Sequence, residues 1–135
     1  MINAHDHRQA EKAENQKSKA QDLEERLLEY GARIISVAES LPKNLVGRRI
    51  GDQLLRSGTA VGAHYEESRG AESRDDFAHK LQMALKELRE SNYWLRLLAR
   101  AGTVSPGRLA DIIDESNQLR AILSKAVATT KGRAK

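Results

Sequence analysis

The stretch from residue 53 to residue 102 determines the fold of this chain. It begins QLLRSGTAVGAH at 53–64, continues with AESRDDF at 71–77 and ALKE at 84–87, and reaches YWL at 93–95 before Gly102. In order, these segments are a run of small residues, a capped helix start and an apolar seam with helical spacing. They specify an architecture far better than they specify a reaction.

The composition favours one all-α domain. The chain has 135 residues, enough for one hydrophobic core, and only 4% of them are aromatic. Its apolar residues are mostly Leu, Ile, Val and Ala, and Pro42 and Pro106 are the only prolines. This is the composition of long helices rather than of sheets.

Four helices follow from the apolar spacing and the capping residues. The first ends at Leu41 before a proline, and the second runs from about Asn44 to Gly70. The third follows the N-cap Ser73 and stops at Gly102, and the fourth begins at Pro106. The predicted inward residues are Leu23, Leu27, Tyr30, Ile34, Val37, Leu41, Ile50, Leu54, Val61, Tyr65, Phe77, Leu81, Ala84, Leu85, Leu88, Leu95, Leu98, Leu109, Ile112, Ile113, Ser116, Leu119, Ile122, Leu123 and Ala126. Short turns between such helices predict an antiparallel up-down-up-down bundle over 20–128. We expect a polar N-terminal arm at 1–19, either mobile or a fraying helical extension, and a basic C-terminal tail at 129–135.

The small residues at 57–63 need a physical explanation, because they lie inside the second helix. Gly58 and Gly62 each cost about 1 kcal/mol relative to alanine in a helix interior. We favour the interpretation that close approach of a neighbouring helix offsets this cost. A ligand or a nucleic-acid backbone lying against the bare surface is the alternative.

The third helix has a second apolar side, formed by Met83, Trp94 and Leu97. These three residues predict an interface, either within the bundle or between subunits. Tyr93 and Trp94 also have basic neighbours at Arg89, Arg96 and Arg100. Stacking on exposed bases of a single strand is therefore an alternative use of these aromatic rings.

Basic residues concentrate near the start of the second helix. The net charge is +4, and Lys43, Arg48, Arg49 and Arg56 outnumber the one nearby acid, Asp52. The last residues add Lys131, Arg133 and Lys135. The four residues at 43–56 are our candidate nucleic-acid site, and the alternative is that these charges only solvate helix faces.

No group of residues indicates an enzyme, a cofactor or a metal site. Cysteine is absent, which excludes thiol nucleophiles and zinc–thiolate sites and fits a cytoplasmic setting. No apolar run is long enough to cross a membrane, and the N-terminus does not resemble a signal peptide. The best polar cluster is His64, Glu66, Glu67, Glu87 and Glu90. We expect it to form salt bridges with Lys86 or Arg89 rather than to bind metal, because a dimetal site in a bundle needs Glu-x-x-His on two helices.

The chain resembles the four-helix-bundle proteins encoded in intervening sequences of bacterial 23S ribosomal RNA genes. The same family includes the accessory variability determinant protein of diversity-generating retroelements. The resemblance extends from Leu27 to about Leu123. It is carried by the segments 53–59, 62–63, 71–73, 76–77, 79–81, 84–87 and 93–95.

The resemblance implies a ring-shaped homo-pentamer of antiparallel bundles, with a basic surface that engages nucleic acid and a reverse transcriptase in the retroelement relatives. It brings no catalytic residues. It makes Arg56 the family's basic residue on the second helix, and Glu67 and Glu87 its acidic ones. The chain departs from the family at Ala60, where serine is usual, and at His64, where asparagine is usual.

Two hypotheses about function follow. The first is a non-enzymatic oligomer that binds RNA or DNA through the basic residues at 43–56. The second is a protein–protein adaptor that uses the exposed part of the Trp94, Met83 and Leu97 surface.

Overall fold

A computed structural model describes residues 4–133, apart from the side chains of 16–18 and 133. This part of the chain is helical and has no strand, which confirms the all-α prediction. The helices are α1 (Ala4–Ser40), α2 (Leu45–Arg69), α3 (Arg74–Ala101) and α4 (Pro106–Arg133). Residues 4–19 of the predicted arm continue α1. Residues 1–3 of that arm, and residues 134–135 of the predicted tail, lie outside the described residues.

The helix ends are set by the capping residues found in the sequence. The side chain of Asn44 accepts a hydrogen bond of 2.9 Å from the backbone N–H of Gly47. Ser73 does the same for the N–H of Asp76 at 3.1 Å. At the end of α3, Gly102 has φ 72°, the left-handed conformation that glycine adopts most easily. The predicted starts of α2 and α3 and the end of α3 are thereby confirmed.

The core forms along the predicted seams. Its buried apolar residues are Leu23, Leu27, Tyr30, Ile34, Leu41, Leu54, Val61, Tyr65, Leu81, Ala84, Leu85, Leu88, Leu95, Leu98, Val104, Leu109, Ile112, Leu119, Leu123 and Val127. The prediction was wrong for Ile122, which is 37% exposed. Ile122 lies on α4 beside α1, and a groove of about 380 Å³ remains between these two helices at this point.

Contacts between successive helices occur in opposite order along the chain. Between α1 and α2, Ile34 lies against Gly58, whereas the backbone of Ala20 accepts a hydrogen bond from the Tyr65 hydroxyl. Between α2 and α3, Glu67 pairs with Lys80, and Arg56 pairs with residues further along α3. This order is the one that antiparallel neighbours produce.

Small residues let α1 approach α2, as predicted. A Cβ added to Gly58 would lie 2.7 Å from both Cγ1 and Cγ2 of Ile34. A Cβ added to Gly62 would lie 3.6 Å from the backbone oxygen of Leu27, an ordinary contact distance. Gly58 is therefore required by packing, and Gly62 leaves room for one methyl group.

One buried hydrogen bond joins α1 to α3 inside the core. The Tyr30 hydroxyl lies 2.7 Å from the Ser91 hydroxyl, and both residues are fully buried. Burial raises the pKa of Tyr30 to about 12, because the phenolate would lose its hydration, and the bond to Ser91 only partly opposes this shift.

None of the helices over residues 4–133 contains an apolar stretch that could span a bilayer.

Candidate nucleic-acid interface

Three of the four predicted nucleic-acid-binding residues lie together at the start of α2. Lys43 precedes the helix, and Arg48 and Arg49 follow in its first turns, where all three are exposed. No acidic residue occupies this first turn. The positive end of the helix dipole therefore adds to their attraction for anions. Lys43 and Arg48 line a groove of about 490 Å³, but the carboxylates of Glu39 and Asp52 line it too.

The fourth predicted residue, Arg56, is held in ion pairs. Its guanidinium lies 3.1 Å from Glu87 on α3 and also donates to Glu90, as well as to the side chain of Gln53. The hydrogen bond to Glu90 raises the pKa of Arg56. Two carboxylates on one guanidinium leave this point net negative, so a phosphate would have to displace them. The structure thus separates Arg56 from the other three predicted residues.

A second basic site, centred on Asn92, lies between α3 and α4. Asn92 is fully buried, and its Oδ1 accepts hydrogen bonds of 3.0 Å from Arg96 Nε and 3.0 Å from Arg120 Nη1. Its Nδ2 donates to Ser116 Oγ at 2.5 Å and to Asn117 Oδ1 at 3.0 Å. All four hydrogen-bonding positions of the amide are therefore used. Only this orientation of the amide places its oxygen against the two guanidiniums.

The two guanidiniums that contact Asn92 have no carboxylate partner in the part of the chain that the structure describes. Within residues 4–133, neither Arg96 nor Arg120 forms an ion pair, and each uses one of its five N–H groups on Asn92. Their charges repel each other across a neutral oxygen. The N–H groups that Asn92 does not use belong to two arginine side chains that it holds in place. The arrangement therefore concentrates positive charge without neutralising it.

Further basic residues extend this surface along α3. Lys86, Arg89 and Arg100 are exposed and, among the described residues, form no ion pair. Helical spacing puts Arg89, Arg96 and Arg100 on one side of α3, over about 16 Å at 1.5 Å per residue. We call the set of Lys86, Arg89, Arg96, Arg100 and Arg120 the α3–α4 basic face.

The nearby acidic residues point to other neighbours. Glu87 and Glu90 face α2, where they bind the Arg56 guanidinium. On α4, Glu115 faces α1 and pairs with Arg26 at 2.5 Å, and Asp114 accepts a hydrogen bond from a glutamine of its own helix. This segregation of charge was not visible in the sequence, where acids and bases alternate along α3.

An apolar groove of about 620 Å³ runs beside the α3–α4 basic face. It is lined by Tyr93, Arg96, Leu97, Ala99, Arg100, Pro106 and Ile113. The Tyr93 side chain is 50% exposed, and its ring meets Trp94 edge-on, with ring centroids 5.2 Å apart. The volume falls within the range of about 300–1,000 Å³ that is typical of small-molecule sites.

The predicted interface residues have different surroundings in the single chain. Leu97 lines the groove at Tyr93, whereas Met83 lines a different groove with His79. Trp94 packs partly against the core, and its Nε1 is buried without a hydrogen-bond partner among the described residues. Their role between subunits stays a prediction.

The polar cluster considered for catalysis is a set of surface contacts. His64 Nδ1 is 3.7 Å from Glu67 Oε2, too far for a hydrogen bond, and it is buried without a partner among the described residues. Glu67 pairs with Lys80 at 3.3 Å, so the predicted salt bridge between α2 and α3 exists, but not with Lys86 or Arg89. Glu66 lies beside Glu24, and their hydrogen bond raises the pKa of Glu66. Within the part of the chain that the structure describes, no three His, Asp or Glu side chains are placed to hold a metal ion.

The two departures from the resembled family fall on the same side of α2. Ala60 is half-buried and brings no side-chain polar group. His64, one turn later, makes no hydrogen bond within the described residues. Neither position therefore ties α2 to a neighbouring helix by hydrogen bonding.

The described residues make this an all-helical protein of four helices. A profile of the 23S rRNA-intervening sequence protein family matches residues 11–125, and the chain belongs to this family. It is also similar to a crystal structure of a protein with unknown function from the S23 ribosomal protein family of Bacteroides thetaiotaomicron VPI-5482. The two share 33% identity with a TM-score of 0.72, over 78% of this chain and 97% of that one. No curated protein sequence matches the chain significantly.

Proposed function

We propose that this protein is a non-enzymatic, cytoplasmic nucleic-acid-binding protein. In this proposal, antiparallel up-down-up-down four-helix bundles assemble into a homo-oligomer, and each bundle binds the phosphate backbone of RNA or DNA. The observation that carries the proposal is the placement of Arg96 and Arg120 on the oxygen of Asn92, where neither guanidinium forms an ion pair among residues 4–133.

The geometry favours the α3–α4 basic face over the start of α2 as the main contact. The α3–α4 face combines residues from two helices. Glu87 and Glu90 of α3 pair with Arg56, and Glu115 of α4 pairs with Arg26, so these three carboxylates are committed elsewhere. At the start of α2, Arg48 shares its groove with Glu39 and Asp52. We assign Lys43, Arg48 and Arg49 a secondary contribution and Arg56 a role in joining α2 to α3.

Assembly into a homo-oligomer would strengthen nucleic-acid binding that is weak for one subunit. The net charge of one chain is only +4. Several subunits that bind one strand raise the overall affinity, because each further contact is intramolecular. The pentamer implied by the resemblance is the state that we expect, and sedimentation equilibrium of the purified chain tests it.

Matched charge reversals test the nucleic-acid site. Binding of a labelled structured RNA, and of a DNA duplex, is followed by fluorescence anisotropy over a salt series. Each phosphate contact contributes about 0.7 to 0.9 to the slope of log K against log salt. Three double variants each replace two exposed basic residues on one helix by glutamate, so that the change in net charge is the same. They are Arg89→Glu with Arg100→Glu on α3, Arg48→Glu with Arg49→Glu on α2, and Arg8→Glu with Lys12→Glu on α1.

We expect the α3 variant to lose the most affinity and to lower the slope by about 1.4 to 1.8, since two contacts disappear. The α2 variant should lose less, and the α1 variant should bind like the original protein. Equal losses in all three would show that only net charge matters. No binding by the folded original protein at low salt would refute the proposal.

The second candidate is a protein–protein adaptor, favoured by an apolar groove between α1 and α2. This groove of about 500 Å³ is lined by Leu28, Ile35 and Gly62, and the Leu28 side chain is 68% exposed. By the resemblance, a reverse transcriptase is one partner to test. If Leu28→Ser and Ile35→Ser together abolish capture of a purified reverse transcriptase, whereas Arg89→Glu does not, the adaptor is supported.

A further inference from the structure

We infer that the α3–α4 basic face binds single-stranded nucleic acid, with a phosphate on the Arg96 and Arg120 pair and an unstacked base in the groove beside Tyr93. This inference rests on the nucleic-acid binding proposed above and specifies its substrate class.

The phosphate position follows from the two guanidiniums. Both are anchored on the Oδ1 of Asn92, each at 3.0 Å, so their directions are set before a ligand arrives. An anion that bridges them would relieve their mutual repulsion and would accept hydrogen bonds from N–H groups that Asn92 does not use. Guanidinium groups suit this task, because their planar N–H pairs match the oxygen spacing of a phosphate.

The base position follows from the groove. Arg96 contributes to both features, since it donates to Asn92 and also lines the groove with Tyr93 and Ile113. A ligand that only carried phosphates would leave the apolar lining empty. A nucleotide fills both parts, because its charged phosphate is joined through the sugar to a flat base whose faces stack on aromatic and apolar side chains.

Tyr93 provides the stacking surface. The ring is half exposed, and its contact with Trp94 is edge-on rather than face to face, so that contact does not stack the two rings. Side chains of this kind bind bases that have left the helical stack. In a duplex the bases are stacked and paired, so the groove selects single strands.

Three probes separate phosphate binding from base binding. They are a labelled single strand, the same strand with abasic sugars in place of its nucleosides, and the corresponding duplex. All three carry the phosphate backbone, but only the first offers an unstacked base. We expect the single strand to bind most tightly, by about 5- to 150-fold over the abasic strand, which is the range for one base–aromatic stack.

Substitutions test the phosphate position and the base position separately. Tyr93→Ala should remove the preference for the intact strand and leave binding of the abasic strand unchanged, whereas Tyr93→Phe should keep the preference. Arg96→Gln with Arg120→Gln should weaken binding of all three probes. Circular dichroism and thermal melting verify that each variant is folded.

Trp94 gives an independent readout. It is the only tryptophan of the chain, and its ring lies 5.2 Å from that of Tyr93. Its emission should therefore change when the intact strand binds and stay constant with the abasic strand.

The outcomes distinguish this inference from the proposed function. Equal binding of all three probes, with no effect of Tyr93→Ala, overturns the base position and leaves phosphate binding standing. Failure of every probe to bind overturns both. Displacement of the strand by polyglutamate at equal charge concentration would show that an acidic protein segment fits this face as well, which also overturns the assignment to a nucleotide.

Discussion

Replacing Gly58 and Gly62 by alanine should change stability in opposite directions, although the two glycines lie one turn apart on α2. Alanine is better than glycine in a helix interior by about 1 kcal/mol. At Gly62 the new methyl group meets the backbone of Leu27 at 3.6 Å, so this gain should be retained. We expect Gly62→Ala to stabilise the protein by about 0.5–1 kcal/mol.

At Gly58 the new methyl group would lie 2.7 Å from two carbons of Ile34, and Ile34 is fully buried. These carbons branch from Cβ and cannot rotate away together. Overpacking of this kind costs about 1–3 kcal/mol, which exceeds the gain in helix propensity over most of that range. We therefore expect Gly58→Ala to destabilise the protein by up to about 2 kcal/mol.

Urea denaturation followed by circular dichroism measures both effects. All variants are compared at one protein concentration, because association would add to apparent stability. Ile34→Ala removes both clashing carbons, so Gly58→Ala should be less harmful in that background, with a coupling of about 0.5–3 kcal/mol in a double-mutant cycle. If Gly58→Ala stabilises the protein as much as Gly62→Ala does, the spacing of α1 and α2 is not set by this contact.

Three further predictions concern single residues. The raised pKa of Tyr30 means that the folded state favours the neutral phenol. Its contribution to stability is therefore complete below pH 10 and is lost as the pH rises to about 12, by up to about 3 kcal/mol. Urea denaturation should show Tyr30→Phe as the less stable protein at pH 8, with the difference in stability shrinking or reversing by pH 12. Asn92→Asp should keep the fold, seen by circular dichroism. It should lower RNA affinity in anisotropy by about tenfold or more, because the new carboxylate pairs with both guanidiniums and cancels one of their two charges. Unchanged affinity would exclude this pair as the phosphate site. Gly102→Ala should lower stability by about 1 kcal/mol in the same denaturation assay, since φ is 72° there, and no loss would mean that α3 can end without this conformation.

The nucleic-acid site illustrates where sequence reasoning reached its limit. Lys43, Arg48 and Arg49 are exposed as expected, but Arg56 is committed to two carboxylates on α3. Along the sequence, those carboxylates are 31 and 34 residues away, so no local pattern could reveal the pairing. Ion pairing between helices depends on which faces meet, and that is decided only when the bundle assembles.

The basic site centred on Asn92 was not predicted from the sequence, for the same reason. Asn92 is a polar residue within an apolar seam, next to Tyr93 and Trp94. A buried asparagine at such a position is a weak signal by itself. Its importance comes from Arg120, which is 28 residues further along the chain and on another helix.

The sequence by itself determined the helices, their ends and most of their buried faces. Apolar spacing is a local property, and capping depends on one or two side chains near each end, so residues such as Ser73 and Gly102 act before any tertiary contact exists. Tertiary structure alone decided which charges neutralise each other and which do not. Two helices had to meet before Arg96 and Arg120 shared one oxygen, because the energy of a charge depends on its spatial neighbours rather than on its place in the chain.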